Sequence, residues 1–365
     1  MDNQSDTTIF FDDTGNCNYC NEALQRKKYT YFPNKEGQRK LDALLVEIKR
    51  KGKNKQYDCL MGISGGLDSS YLAFLGAKWG LRILAVHIDD GFDTEIAKDN
   101  IKKIASHLSL ELTTFKPDEE QFNDLTRAYI LAGVPNLAVP QDNILFAYLY
   151  KLAKKYGIKY FLSGGNFALE SILQKGNSHS ALDLENIRDI HKKFGKLPID
   201  KLEFLSENRR MIDRFIYRIK TFRPLDYIDY RRETAITELK EFCDFNYYDA
   251  KHLENALTKV VQLFWFYHKF GVDKRKSHLS SLIISEQMTR EEALLEMRKP
   301  LYDEVEMEKD LSFVLGNLKL LKKDFDKIVS EKGHQHTEYK TSGDYILNFA
   351  RKNSLFNKLK QQLQS

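Results

Sequence analysis

The stretch that most constrains this chain is residues 57–69, an apolar run from Tyr57 to Ile63 followed at once by Ser64-Gly65-Gly66-Leu67-Asp68-Ser69. A short apolar run that meets glycines and then a helical pattern reads as a buried strand, a tight loop and a helix start. Glycines let the backbone turn sharply and approach a ligand with no Cβ in the way, and N–H groups at the start of the next helix point at an anion. Ser64 and Ser69 add hydroxyl donors, so the loop has the makings of a phosphate nest. A Walker loop carries Lys before its final hydroxyl residue; Asp68 stands there instead, which argues against simple transfer of a γ-phosphate. The plainer reading is a turn between a core strand and a helix, with Asp68 as the N-cap.

Strand and helix signals alternate along this part of the chain: helix 69–79, strand 83–88, helix 95–108, strand 110–115, helices 121–132 and 143–156, strand 159–162. That alternation predicts a parallel sheet in an α/β, Rossmann-like domain. Strand 159–162 ends in a second glycine turn, Ser163-Gly164-Gly165-Asn166. Ligands of open parallel sheets sit outside the carboxyl ends of strands, so the two turns are where a site is expected. Asp142 reads as a helix N-cap, and Asp89 and Asp90 read equally as turn residues. Residues 1–40 are polar and loop-like, and a helix is expected at 42–50. Past Arg232 helices dominate, at 233–243, 250–266, 289–298, 304–330 and 342–364. The expected division is an N-terminal segment 1–40, an α/β domain 41–232 and a helical region 233–365.

Composition narrows the class of partner. Lys and Arg exceed Asp and Glu by 57 − 52 = 5 over 365 residues, too small a surplus to imply a nucleic-acid partner, though it permits an anionic small substrate. No run approaches the length of a membrane span and the first residues lack a signal-peptide pattern, so a cytoplasmic location is expected. Four cysteines, with Cys17 and Cys20 three apart, suit a reducing compartment and metal binding better than disulfides. Cys59 in the core strand and Cys243 at a helix end read as packed thiols.

The loop SGGLDS matches the SGGxDS signature of the PP-loop ATP-pyrophosphatases, in the strand-to-helix setting that signature requires. The resemblance implies that Ser64, Gly65, Gly66, Leu67, Asp68 and Ser69 cradle the pyrophosphate of ATP, with Mg²⁺, while the α-phosphate is attacked. It also implies nucleotide contacts at Ile88, Asp89, Gly164 and Asn166, and catalytic roles for Ser64, Asp68 and Ser69.

More closely, the chain resembles the bacterial N-acetyl sugar amidotransferases of lipopolysaccharide O-antigen and related surface-glycan pathways. The matching stretches are TIFFDDTGNCNYC (8–20), MGISGGLDSSYLA (61–73), VHIDDGFDTEIAKDNI (86–101), SGGNFALESIL (163–173), DLENIRDIHKKFG (183–195) and KFGVDKRKSHLSSLIISEQMTREEAL (269–294). The family's chemistry is implied: adenylation of an N-acetyl oxygen, displacement of AMP by ammonia, and an acetamidino sugar as product. A separate glutaminase subunit with a cyclase-like companion would supply the ammonia, and a nucleotide-activated N-acetyl sugar would be the substrate. The family's KHxEN pattern places Lys251 and His252 at the substrate, His252 with a catalytic role, and the basic stretch 269–278 adds Lys274, Arg275 and His278. The plainer reading of that stretch is a solvated basic turn with Asp273 capping a helix. Family members carry two CxxC pairs, enough for a four-thiolate zinc site. Only Cys17 and Cys20 occur here, and loss of an upstream pair by truncation or a misplaced start is the expectation. Two rival readings stand beside this one: a tRNA-modifying PP-loop enzyme that adenylates a base, and a non-catalytic nucleotide-binding scaffold.

Overall fold

The computed structural model describes residues 1–172, 174–247 and 253–343. At its centre lies a five-stranded sheet, β1 (Cys59–Gly62), β2 (Ile83–Ile88), β3 (Glu111–Phe115), β4 (Tyr160–Leu162) and β5 (Lys220–Phe222), in the order β3-β2-β1-β4-β5. Every pairing is parallel, with Leu60 opposite both Leu84 and Phe161. β1 is therefore the middle strand, and Cys59, Leu60 and Met61 are buried, which is why its sequence is a continuous apolar run.

The chain leaves β1 toward β2 and β3 on one side, and returns to place β4 and β5 on the other. Strand order reverses between β1 and β4, and the crevice beyond their carboxyl ends is the natural ligand position. Both glycine turns lie at that crevice.

The helices are α1 (Asn18–Thr30), α2 (Lys35–Gly52), α3 (Leu67–Lys78), α4 (Glu95–His107), α5 (Glu119–Ala132), α6 (Val139–Lys155), α7 (Phe167–Glu170), α8 (Leu184–Phe194), α9 (Glu207–Phe215) and α10 (Arg232–Cys243). In the C-terminal part come α11 (Ala256–Lys259), a π-helical turn Val260–Trp265, α12 (Phe266–Phe270), α13 (Arg275–Ile284), α14 (Arg290–Arg298), α15 (Glu304–Asn317) and α16 (Lys322–Ser330). One core packs α3, α4 and α10 with the sheet; another gathers α5, α8, α15 and the stretch around the fully buried Trp265. Among the described residues no helix is long and apolar enough to cross a membrane.

Several expectations change. Residues 1–40 are not loop-like throughout: Cys17 caps α1, which buries Tyr19 and Ala23, and Asn34 caps α2, which starts at Lys35 rather than at the expected 42. The single helix at 304–330 is two, broken where Lys319 takes a positive φ of 51°. The helix expected at 250–266 begins at Ala256 and carries the π-helical turn, and residues 250–252 lie outside the described residues. The helix expected at 342–364 also lies outside them from residue 344 on. Gly66 rather than Asp68 is the N-cap of α3, and Ala138 rather than Asp142 that of α6, where Pro140 sits in the first turn. Proline suits that turn because it has no N–H to leave unpaired.

Candidate active site

The loop between β1 and α3 is shaped by its glycines. Gly65 has φ +76°, and a Cβ there would stand 2.4 Å from the carbonyl oxygen of Ala97. A Cβ on Gly66 would stand 2.8 Å from Oε1 of Glu254. No side chain caps the N-terminus of α3, so its first N–H groups face the loop's mouth. The hydroxyls of Ser64 and Ser69 lie 3.3 Å apart across the mouth, and Ser64 Oγ donates to Glu254 Oε1 at 3.2 Å.

Neighbouring elements hold the loop in place. On the buried face of α4, Asn100 Nδ2 donates to the carbonyl of Gly65 at 3.1 Å. His87 on β2 lies between two acceptors, its Nδ1 3.1 Å from the carbonyl of Ile63 and its Nε2 3.0 Å from Asp93. Although burial opposes charge on the ring, Asp93 and the Ile63 carbonyl draw its pKa above the usual histidine value. The Tyr230 hydroxyl donates to the Asp68 carboxylate, and burial together with Asp68 holds that phenol well above its usual pKa.

The second glycine turn closes the other side. A Cβ on Gly164 would come within 3.1 Å of the first turn of α3, so the two turns touch through glycine. Asn166 is completely buried and caps α7, accepting from Leu169 N and donating to the carbonyl of Gly164. It shapes this turn from beneath.

These elements open onto a cavity of about 620 Å³. Its loop end is Ser64, Gly66, Leu67, Asp68 and Ser69, with Gly164 and Gly165 beside them. Its lining also includes Arg232, Arg275, His278 and Lys299 and the apolar side chains of Leu169, Leu279, Leu282 and Met288. Tyr247 and three carboxylates, Glu170, Glu254 and Glu296, complete the wall. A cavity of this size takes a nucleotide or a nucleotide-sized ligand. A glycine loop with hydroxyl donors and several cations on one cavity suits a ligand that carries negatively charged groups.

The structure thus brings Ser64, Gly66, Leu67, Asp68, Ser69, Gly164, Arg275 and His278 to one cavity. Arg275 is braced by Asp273, 2.7 Å away, and donates to the Lys299 carbonyl at 2.8 Å, so its position is set by α14's end. Lys274 lies just behind, its ammonium 5.2 Å from the Phe266 ring centroid, and burial pulls its pKa below the usual lysine value. Ile88 and Asp89 end β2 outside this cavity wall, Asp89 paired with Lys116 at 2.7 Å. Lys251 and His252 lie outside the described residues.

Residues missed in the sequence include Asn100, Tyr230, Arg232, Glu254 and Lys299. Of these, Glu254 stood in the KHxEN pattern with no role attached to it, and Asn100 left a signal of its own, an amide on the apolar face of an otherwise regular helix beside Ile101 and Ile104.

Cys17 and Cys20 lie with their sulfurs 3.2 Å apart at the start of α1, and this contact draws the Cys17 thiol down to about 6. Among the described residues no group of three His, Cys, Asp or Glu side chains can hold a metal ion, so the expected zinc lacks the rest of its ligands there.

Residues 44–165, which carry the glycine loop and strands β1 to β4, match the asparagine synthase family and form a PP-loop ATP-pyrophosphatase type of domain. Residues 254–353 match the C-terminal domain of WbpG-like lipopolysaccharide biosynthesis proteins, so the chain joins a PP-loop domain to a WbpG-like C-terminal domain. It is 22% identical over 284 residues to an uncharacterized protein of Methanocaldococcus jannaschii, covering 77% of this chain and 86% of that one. It is 27% identical over 158 residues to a tRNA-specific 2-thiouridylase of Fusobacterium nucleatum, covering 40% and 44%. Among solved structures, an NH3-dependent NAD synthetase from Campylobacter jejuni aligns with TM-score 0.31 and 17% identity over 57% of this chain and 93% of that one. The U34-tRNA thiolase NcsA from Methanococcus maripaludis aligns with TM-score 0.32 and 14% identity over 71% and 82%. At these scores the likenesses add nothing to what the sheet order shows.

Proposed function

We propose that this chain is a cytoplasmic, ATP-dependent N-acetyl sugar amidotransferase that converts an acetamido group of a nucleotide-activated sugar into an acetamidino group for surface polysaccharide. The observation that carries the reading is the shared cavity, lined both by the PP-loop and by Arg275 and His278 of α13, from the WbpG-like part.

An amide carbonyl is a poor electrophile, and ATP overcomes this. The amide oxygen attacks the α-phosphorus, the bond to the β-phosphate oxygen breaks, and pyrophosphate leaves. Ammonia then adds to the imidoyl carbon, loses a proton, and AMP departs with the former amide oxygen. The N–H groups and hydroxyls of residues 64–69 receive the pyrophosphate as it gains charge. Mg²⁺ bound with ATP would neutralise phosphate charge, and the loop fits it: hydroxyls of Ser64 and Ser69 and carboxylates of Asp68, Glu170 and Glu254 all border the cavity. Tyr230 fixes the orientation of Asp68. Arg232, Arg275 and Lys299 suit the diphosphate or a carboxylate of the sugar nucleotide, and the apolar lining of Leu169, Leu279, Leu282 and Met288 suits the acetamido methyl. His278 borders the cavity and, with His252, is a candidate to manage the ammonia proton.

Ammonia would come from a separate glutaminase with a cyclase-like companion, and zinc on Cys17 and Cys20 belongs to the same proposal. The tRNA-modifying reading is favoured by the 2-thiouridylase relative alone. Pyrophosphate release from ATP with ammonium and a panel of nucleotide-activated di-N-acetylated sugars separates the two. Sugar-dependent release supports this reading, and release with bulk tRNA but no sugar refutes it.

A further inference from the structure

Helix α9 buries a charge and exposes its apolar side chains. The one residue it buries is Asp213, paired with Lys154 at 3.1 Å. Met211, Ile212, Phe215 and Ile216, spaced as one stripe of a helix, are 48%, 44%, 68% and 71% exposed, and Tyr217 continues the stripe at 41%. Apolar side chains scattered over a surface need no explanation, whereas a contiguous stripe marks a place where something binds.

The charge around the stripe selects the partner. Arg209, Arg214 and Arg218 stand exposed beside it, and none of them forms an ion pair among the described residues. Residues 206–220 hold five cations against two carboxylates, and both carboxylates are already paired, Glu207 with Arg210 and Asp213 with Lys154. More cations adjoin at the amino ends of the strands. Lys159, just before β4, donates to the carbonyl of Tyr217 at 2.6 Å. Lys55, just before β1, is held below the usual lysine pKa by burial and by the like charges of Lys159 and Lys51. Glu47 accepts from the Tyr160 hydroxyl and feels Lys220, Arg50 and Lys51 at once, one carboxylate against three cations. All five strands are parallel and the cavity lies beyond their carboxyl ends, so this basic surface is on the opposite side of the sheet.

Apolar side chains ringed by Lys and Arg suit an anionic bilayer: the stripe enters the boundary between headgroups and acyl chains while the cations meet the headgroups. A second copy of the chain would bring the same positive charge against the surface. So would residues 344–365, whose charged side chains are Arg351, Lys352, Lys358 and Lys360 against Asp344 alone. Protein interfaces are poor in lysine, which is prominent here. An RNA strand would use the cations but not Met211, Ile212 and Ile216, which offer neither donors nor an aromatic face.

We propose that α9 and the basic surface beside it are a peripheral docking surface for a membrane rich in anionic lipid, with the cavity on the far side of the sheet. The inference goes beyond the chemistry of the cavity and does not depend on it.

The test sediments the full chain, without ATP or sugar, with vesicles of phosphatidylcholine alone and of phosphatidylcholine mixed equally with phosphatidylglycerol. The mixed vesicles should bind at least about tenfold more tightly than the neutral ones, and added salt should weaken that binding. Phe215→Ser with Ile216→Ser should lose at least about tenfold in affinity, and so should Arg214→Gln with Arg218→Gln. All four residues are exposed, so both variants should melt like wild type. Wild-type protein that ignores the mixed vesicles, or binds both kinds equally, overturns the inference. Wild-type affinity in the Phe215 and Ile216 variant overturns it too. Bulk tRNA bound by wild type and lost only in the arginine variant, with no vesicle binding, makes this a nucleic-acid contact and refutes the lipid role.

Discussion

The two loop glycines should respond to the same substitution in opposite ways. Gly65→Ala places a methyl at φ +76°, with its Cβ 2.4 Å from the Ala97 carbonyl oxygen in α4. The left-handed backbone costs about 1–2 kcal/mol for a non-glycine residue, and overpacking against main chain typically adds about 1–3 kcal/mol. The sum is roughly 2–5 kcal/mol, and at about 2–4 °C per kcal/mol for a domain of 150–250 residues it should lower Tm by at least about 4 °C. Gly66 instead has φ −76° and ψ 163°, a conformation alanine adopts freely, and its Cβ would meet only the tip of the Glu254 side chain. Glu254 can turn aside, so Gly66→Ala should stay within about 1 kcal/mol of wild-type stability. Its methyl, however, fills the phosphate cradle, and nucleotide affinity should fall at least about tenfold, or about 1.4 kcal/mol. Differential scanning fluorimetry gives the first quantity and titration calorimetry with an ATP analogue the second. Gly66→Ala binding nucleotide like wild type, or melting below Gly65→Ala, would refute the assignment of one glycine to backbone geometry and the other to ligand approach.

Tyr230→Phe removes the hydroxyl bond to Asp68 inside a buried contact; it should cost about 1.5–3 kcal/mol by denaturant titration and lower kcat more than it raises the KM for ATP. Arg275→Lys cannot keep the forked contact to Asp273 and the bond to the Lys299 carbonyl, so the KM for the sugar nucleotide should rise at least about tenfold with the KM for ATP nearly unchanged. His336 is buried against His179, and burial lowers its pKa to about 3. The unfolded chain therefore takes up the proton first, so the stability this neutral ring confers is complete above about pH 6.5 and is lost on acidification toward pH 3. At about 1.4 kcal/mol per pH unit, roughly 2 kcal/mol should go between pH 6.5 and 5, and His336→Gln should flatten that limb in chemical denaturation; an unchanged acid limb would contradict it.

What the sequence revealed follows from the range of the interactions involved. β2 begins and ends where expected because its apolar run is local and bounded by turn residues. The loop was readable because strand, glycines and helix start are contiguous. α1 was missed because its buried face is only Tyr19 and Ala23 among charged residues, and α9 because the one residue it buries is Asp213. Tyr230 reaches the loop across 162 residues of chain with no local pattern to mark the meeting, and the KHxEN pattern that holds Glu254 says nothing of its contact with Ser64, 190 residues away. Asn100, by contrast, announces itself as a polar group on a face that should be apolar.

The central claim is that this cavity activates an amide oxygen of a sugar with ATP and replaces it with nitrogen. The most direct test incubates the purified chain with ATP, Mg²⁺, ammonium chloride and nucleotide-activated di-N-acetylated sugars, and follows pyrophosphate together with product mass. The account predicts sugar-dependent pyrophosphate release, AMP in equal amount, and a sugar nucleotide lighter by the difference between O and NH. No release with any sugar, but release with bulk tRNA, would contradict it.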